Sequence, residues 1–322
     1  MMKKTLATLS MLAVAAVAAM AQSIKLSDIN IRDPYILADQ KTGTYYLYAS
    51  SSTKTASGKI VGGVKAYTSK DLENWNEATQ VFTCPEDNWI TGGVWAPEVH
   101  QYKGKYYLFA TLNTSLTWKG GKNRSTAYTY RGTQIFWSKS PLGPFKPFAT
   151  TPHTPIDQMA LDGTLWVEDG TPYIVYCHEW VEVDDGTIEC RPLKKDLSSP
   201  TAPPTRLFCA SAAEWVTKGP TMVTDGCFLY RTKTGKLLMT WSSFHNGSYA
   251  IGIAESTTGK IIGPWKQQDD MLFSSDGGHS MIFRDLEGKL RIVFHSPNGP
   301  RGKERAKIFE IEDLGETIRV KQ

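Results

Sequence analysis

The chain has 322 residues, with 36 Lys and Arg against 32 Asp and Glu and a formal net charge of +4. The basic side chains are scattered rather than clustered, which excludes a nucleic-acid partner of the kind that reads a phosphate backbone. Five cysteines, Cys84, Cys177, Cys190, Cys209 and Cys227, show no CxxC or Cys/His spacing, so neither a zinc site nor a disulfide framework is expected, and the odd count leaves at least one thiol unpaired within the chain.

In chain order, residues 1–4 are a charged start, 6–18 an apolar stretch rich in Ala, and Ala19-Met20-Ala21 a small-x-small pattern. This predicts a cleaved signal peptide over 1–21, export to the periplasm or beyond the cell, and one all-β domain over 22–322. No later segment approaches the roughly 20 apolar residues that span a bilayer.

The mature part then repeats. Segments RDPYILADQKTGTYYLYAS from Arg32, WAPEVHQYKGKYYLFAT from Trp95, DGTLWVEDGTPYIVYCH from Asp162, DGCFLYRTKTGKLLMTWSS from Asp225 and GHSMIFRDLEGKLRIVFHS from Gly278 each hold a strand, a Gly-centred turn and a second strand. Taking Asp33, Pro97, Asp162, Asp225 and His279 as openings gives steps of 64, 65, 63 and 54 residues. Such a period predicts a five-bladed β-propeller, in which every blade delivers the start of its innermost strand to one central channel. Further strands follow each hairpin, and 112–133, polar and Gly-rich with Trp118, Gly120, Gly121 and Arg124, reads as a long loop shaping the cleft.

The ten Trp and fourteen Tyr suit a sugar ligand, because carbohydrate C–H faces lie on aromatic rings. The pairs Tyr45-Tyr46, Tyr106-Tyr107 and Leu237-Leu238 fit alternate inward and outward packing in a hairpin instead, and Cys177, in PYIVYCH, fits a small buried hydrophobe. Trp95 differs because it stands at a repeat opening, which makes it a candidate sugar platform. His178, at the end of the third-blade strand, and Arg284, in the fifth unit, are candidate substrate contacts.

Three openings carry Asp33, Asp162 and Asp225, each followed by Pro or Gly. One Asp-Pro or Asp-Gly pair alone reads as a local turn cap. Three at matching places in a repeat predict carboxylates gathered in one cavity, where burial and mutual repulsion force their pKa values apart. Glycoside hydrolysis uses such a set, one carboxyl protonating the leaving oxygen and another activating water or attacking carbon.

Together, RDPYI, VWAPEV, LDGTLWVEDGTPYIVY and GGHSMIF resemble glycoside hydrolase family 43 over essentially the whole mature chain. The resemblance implies a five-bladed propeller that hydrolyses arabinose- or xylose-containing oligo- or polysaccharides with inversion. It also implies Asp33 as general base, Asp162 as the residue that tunes and orients the acid, and Asp225 as the acid. It places His279 on the axis, where it helps hold a calcium ion or ordered waters; no cofactor is required for the chemistry. Where the family has Glu, then Gly or Ala, then Pro, this chain has Asp225-Gly226-Cys227. Either Asp225 reaches the glycosidic oxygen despite its shorter side chain, or another carboxylate such as Glu214 or Glu182 acts, or the propeller only binds sugar. A monomer is expected.

Overall fold

The computed structural model of the protein describes residues 23–119 and 127–321; the predicted signal peptide and Gly120, Gly121 and Arg124 lie outside them. Among the described residues, apart from one α-helical turn, Trp180–Val183, and two 3-10 turns, the regular structure is β, in five sheets. Each sheet starts on an innermost strand and proceeds outward through antiparallel neighbours. The innermost strands are Tyr35–Asp39, Gly93–Tyr102, Ala160–Glu168, Asp225–Arg231 and Gly278–Arg284 in blades 1 to 5, and the second strands are Thr44–Lys54, Lys105–Lys119, Thr171–His178, Leu237–His245 and Leu290–Ser296. The chain is a five-bladed β-propeller.

Second strands are apolar almost without alternation because each is sandwiched between neighbouring blades. Leu237, Leu238, Met239 and Trp241 are all fully buried, as are Ile292, Val293 and Phe294. The core is accordingly a ring of clusters between blades rather than one centre; Leu161 and Val175 of blade 3, for example, pack with Cys227 and Trp241 of blade 4. Cys177 is buried there, and all five cysteines are free thiols. The ring closes between blades 5 and 1, where Asn30 bridges to Arg305 and Ile31 N–H donates to Glu304 O at 3.2 Å.

Two sequence expectations need correction. Residues 112–119 and 128–133 are strand rather than loop: Lys105–Lys119 pairs with Tyr128–Ser138 in a long antiparallel pair that continues past the innermost strand's opening. The phase of the repeat also shifts. Every innermost strand opens on one residue with left-handed backbone, Asp33 (φ 51°), Ala96 (φ 40°), Asp162 (φ 57°), Gly226 (φ 54°) and His279 (φ 55°). In blades 2 to 5 that residue falls inside a bulge, as between Trp95 and Glu98 or between Asp225 and Phe228. The equivalent positions in blades 2 and 4 are therefore Ala96 and Gly226, not Pro97 and Asp225. Matching residues by chemistry aligned Pro with Asp, whereas the fold repeats a backbone kink. Asp225 thus occupies the place of Arg32, Trp95, Leu161 and Gly278, one residue before the kink.

Candidate active site

Left-handed φ is costly for a residue with a Cβ, and in blades 2 to 5 the bulge over-determines it at the same point. At Asp33, Asp162 and His279 the result is a side chain aimed at the channel from a fixed backbone. Gly226 is required for a further reason: a Cβ there would lie 2.7 Å from His279 Cα and 2.7 Å from its ring. The imidazole therefore rests on the bare backbone of blade 4.

His279 is the centre of the cluster. Its Nδ1 lies 3.1 Å from Asp33 Oδ1 and 3.7 Å from Asp162 Oδ2. Burial lowers its pKa, but the surrounding Asp33, Asp162 and Asp225 carboxyls outweigh that and lift it to about 10. The axis thus carries an imidazolium at neutral pH.

The three aspartates diverge around that charge. Burial pushes Asp33 up, but its ion pair and hydrogen bond with His279 win, and its carboxyl is held well below the usual range. Asp33 N–H also donates to His295 Nδ1 at 3.2 Å, while His295 Nε2 lies 3.2 Å from Asn298 Oδ1. This assigns Nε2 as the donor and Nδ1 as the acceptor, so the 3.3 Å approach of His295 Nδ1 to the Asp33 carboxylate is no ion pair; the carboxylate's cationic partners are His279 and, at 3.8 Å, the half-exposed Arg32. Asp162 is lifted to about 7 by burial and by Asp225 and Asp33, against the pull of His279 and of the Gly226 N–H that donates to its Oδ2 at 3.1 Å. Its own N–H donates to Thr111 Oγ1 at 2.9 Å. Burial also raises Asp225, although His279 and the Tyr249 hydroxyl, which donates to its Oδ2 at 2.9 Å, restrain the rise. One carboxyl stays charged and two hold their protons more tightly, the division of labour that acid–base chemistry needs.

A second group stands beside this cluster. Trp95 is 41% exposed, and the Arg131 guanidinium lies over its ring at 4.2 Å. Arg131 is in turn paired through Nη1 with Glu179. Burial lifts Glu179 to about 7 against the pull of Arg131. Trp95 therefore has one face fixed by a cation and a large exposed surface.

The other sequence candidates lie elsewhere. His178 is buried between Glu182 and Glu189, 2.9 and 3.2 Å from its ring nitrogens; burial lowers its pKa, but the two carboxylates lift it to about 9, and it acts as a post inside blade 3. Glu182 is committed to that post and to Met159 N–H, and Glu214 is exposed, with no hydrogen bond or ion pair to the three aspartates among the described residues. Arg284 ends the fifth innermost strand, six residues beyond Gly278, and so about 20 Å from the opening; it donates to Gly288 O in its own turn and is not brought to the site. A wide groove of 1380 Å³ between the outer strands of blades 4 and 5 is likewise remote from the carboxylates.

The donor set around His279 does not fit a protein-held calcium ion. Its Nδ1 is turned to Asp33, so at most one ring nitrogen remains, whereas calcium takes six to eight oxygen ligands. Among the described residues no three His, Cys, Asp or Glu side chains are grouped to hold a metal.

A family model, Glycosyl hydrolases family 43, matches residues 27–310. The chain belongs to this family. Among solved structures it resembles an endo-arabinase from Bacteroides thetaiotaomicron VPI-5482 at 39% identity, covering 90% of this chain and 97% of that one with a TM-score of 0.78. Among characterised proteins, the extracellular exo-α-(1→5)-L-arabinofuranosidase ArbA of Cellvibrio japonicus (strain Ueda107) is 27% identical over 104 residues, 30% of this chain and 25% of that protein. The α-L-arabinofuranosidase 43 of Humicola insolens is 30% identical over 238 residues, 66% of this chain and 44% of that protein. The chain thus matches less than half the length of either characterised relative.

Within this family 43 propeller, three site residues had weak or no sequence signal. Tyr249, His295 and Arg131 lie in second and third strands, whereas the repeat drew attention only to where first strands begin. Antiparallel pairing returns the ends of second strands to the same rim: His295 pairs with Gly278 and His178 with Ala160. Glu179, next in sequence to His178, faces Arg131 while His178 turns into blade 3.

Proposed function

We propose that this family 43 protein is an exported hydrolase of arabinose- or xylose-containing glycans, acting with inversion at the anomeric carbon. Asp33, kept charged by His279, activates water as general base. Asp225, whose proton is held more tightly, protonates the leaving oxygen from blade 4, and Asp162 keeps that proton in place through its own raised pKa and its bond to Gly226. The observation that carries the reading is the convergence of one depressed and two raised carboxyls on a single buried imidazolium. The endo-arabinase and arabinofuranosidase named above support arabinose as the sugar. The signal-peptide pattern, and a relative described as extracellular, support export. Among the described residues no helix is long and apolar enough to cross a membrane.

The test is hydrolysis of arabinan, of an aryl α-L-arabinofuranoside and of an aryl β-D-xyloside, with the anomer of the first product followed by proton NMR. Asp33→Asn should lower kcat by about 10²- to 10⁴-fold, and Asp225→Asn should do so on arabinan. A product of retained configuration, or full activity in either variant, refutes the assignment.

A further inference from the structure

We propose that Tyr249 is a positioning residue for proton donation, holding one oxygen of Asp225 so that the other faces the leaving group. The inference rests on the reading of Asp225 as proton donor and concerns what makes an aspartate serve where the family pattern has a longer glutamate.

Tyr249 lies in the third strand of blade 4, Ser248–Ser256, and is only 1% exposed. Its hydroxyl donates to Asp225 Oδ2 at 2.9 Å, and its ring lies against the His295 imidazole, centroids 5.7 Å apart and planes 24° apart. Phe244, its cross-strand partner, covers it from the other direction at 5.3 Å. The ring is also wedged beneath bare backbone: a Cβ on Gly278 would come within 2.2 Å of Tyr249 Cε1. A ring fixed on these sides is a rigid donor, and the bond occupies Oδ2. Oδ1 then carries the transferable proton. Glutamate has an extra methylene with which to find the glycosidic oxygen; aspartate gains reach only by being held in one rotamer, and Tyr249 supplies that hold.

The same bond sets how readily the proton leaves. Asp225 is faced by Arg32 and Asp33 from blade 1, Asp162 and Glu179 from blade 3, Tyr249 from its own blade and His279 from blade 5. Burial raises its pKa, and the Tyr249 hydroxyl opposes that rise by stabilising the ionised form. Without the hydroxyl the acid would bind its proton more tightly and donate it less readily.

The experiment compares wild type with Tyr249→Phe, which keeps the ring and its packing, on arabinan and on 4-nitrophenyl α-L-arabinofuranoside, whose leaving group needs little protonation. The expected result is a loss in kcat of about tenfold or more on arabinan, a much smaller loss on the aryl substrate, and a shift of the basic limb of the arabinan pH profile to higher pH. Equal losses on both substrates with an unmoved basic limb would reduce Tyr249 to packing and overturn the proposal. Asp225→Asn in the same series separates the two readings. If Asp225→Asn spares arabinan hydrolysis, the acid assignment itself fails; if it abolishes hydrolysis while Tyr249→Phe leaves the profile unchanged, only the positioning role fails.

Discussion

Replacing Asp162 with asparagine should weaken catalysis and stabilise the fold, and the second effect should depend on pH. The Asp162 carboxyl is held at about 7 instead of its ordinary 3.8, chiefly by burial. A raised value in the folded state means that the folded protein binds this proton more tightly than the unfolded chain does. The stabilisation so provided is complete below about pH 4 and is lost as pH rises through 7. At 1.36 kcal/mol per pH unit the span is worth about 4 kcal/mol, and its coupling to His279, which is itself supported by Asp162, reduces the net to about 2–4 kcal/mol. Asparagine keeps an acceptor for Gly226 N–H but has no proton to lose, so it removes the pH slope while retaining the hydrogen bond. Urea unfolding at pH 4.5 and pH 8 measures this directly. The Asp162→Asn variant should gain about 2–4 kcal/mol relative to wild type between the two conditions, whatever constant offset the substitution introduces, and should lose activity at both. Parallel stability differences at the two pH values would refute the claim that Asp162 is held protonated by its surroundings.

Gly226→Ala combines a left-handed backbone position with a contact of 2.7 Å to His279 Cα, which cannot rotate away. It should destabilise by about 2–5 kcal/mol and inactivate the protein; calorimetry showing an unchanged Tm would contradict the close approach of blades 4 and 5. Trp95→Ala removes an exposed ring whose other face is covered by Arg131, and should raise KM for arabinan roughly tenfold with kcat little altered, as expected for uniform binding. A fall in kcat with KM unchanged would place Trp95 in the chemistry rather than in sugar binding.

Repetition made the fold legible from the chain alone. Five strand–turn–strand units can bury their apolar strands only by stacking around an axis, whereas the pairs Tyr45-Tyr46, Tyr106-Tyr107 and Leu237-Leu238, which the sequence suggests alternate inward and outward, are buried at both residues because neighbouring blades cover both faces. The same repeat brought Asp33, Asp162, Asp225 and His279 to notice, because ring closure carries strand openings to one point. Tertiary structure decided what the spacing could not. Which residue of each opening takes the left-handed kink depends on the bulge, so Ala96 and Gly226 replace Pro97 and Asp225 as equivalents. Whether a side chain at a strand end faces the channel depends on the blade's alternation, so Glu179 meets Arg131 while His178 turns into blade 3. Arg284 has the right chemistry at the wrong end of its strand. The division of the carboxyls into one held charged and two that bind their protons more tightly belongs to the assembled site alone, since it arises from burial and from a single imidazolium shared by residues over 240 positions apart.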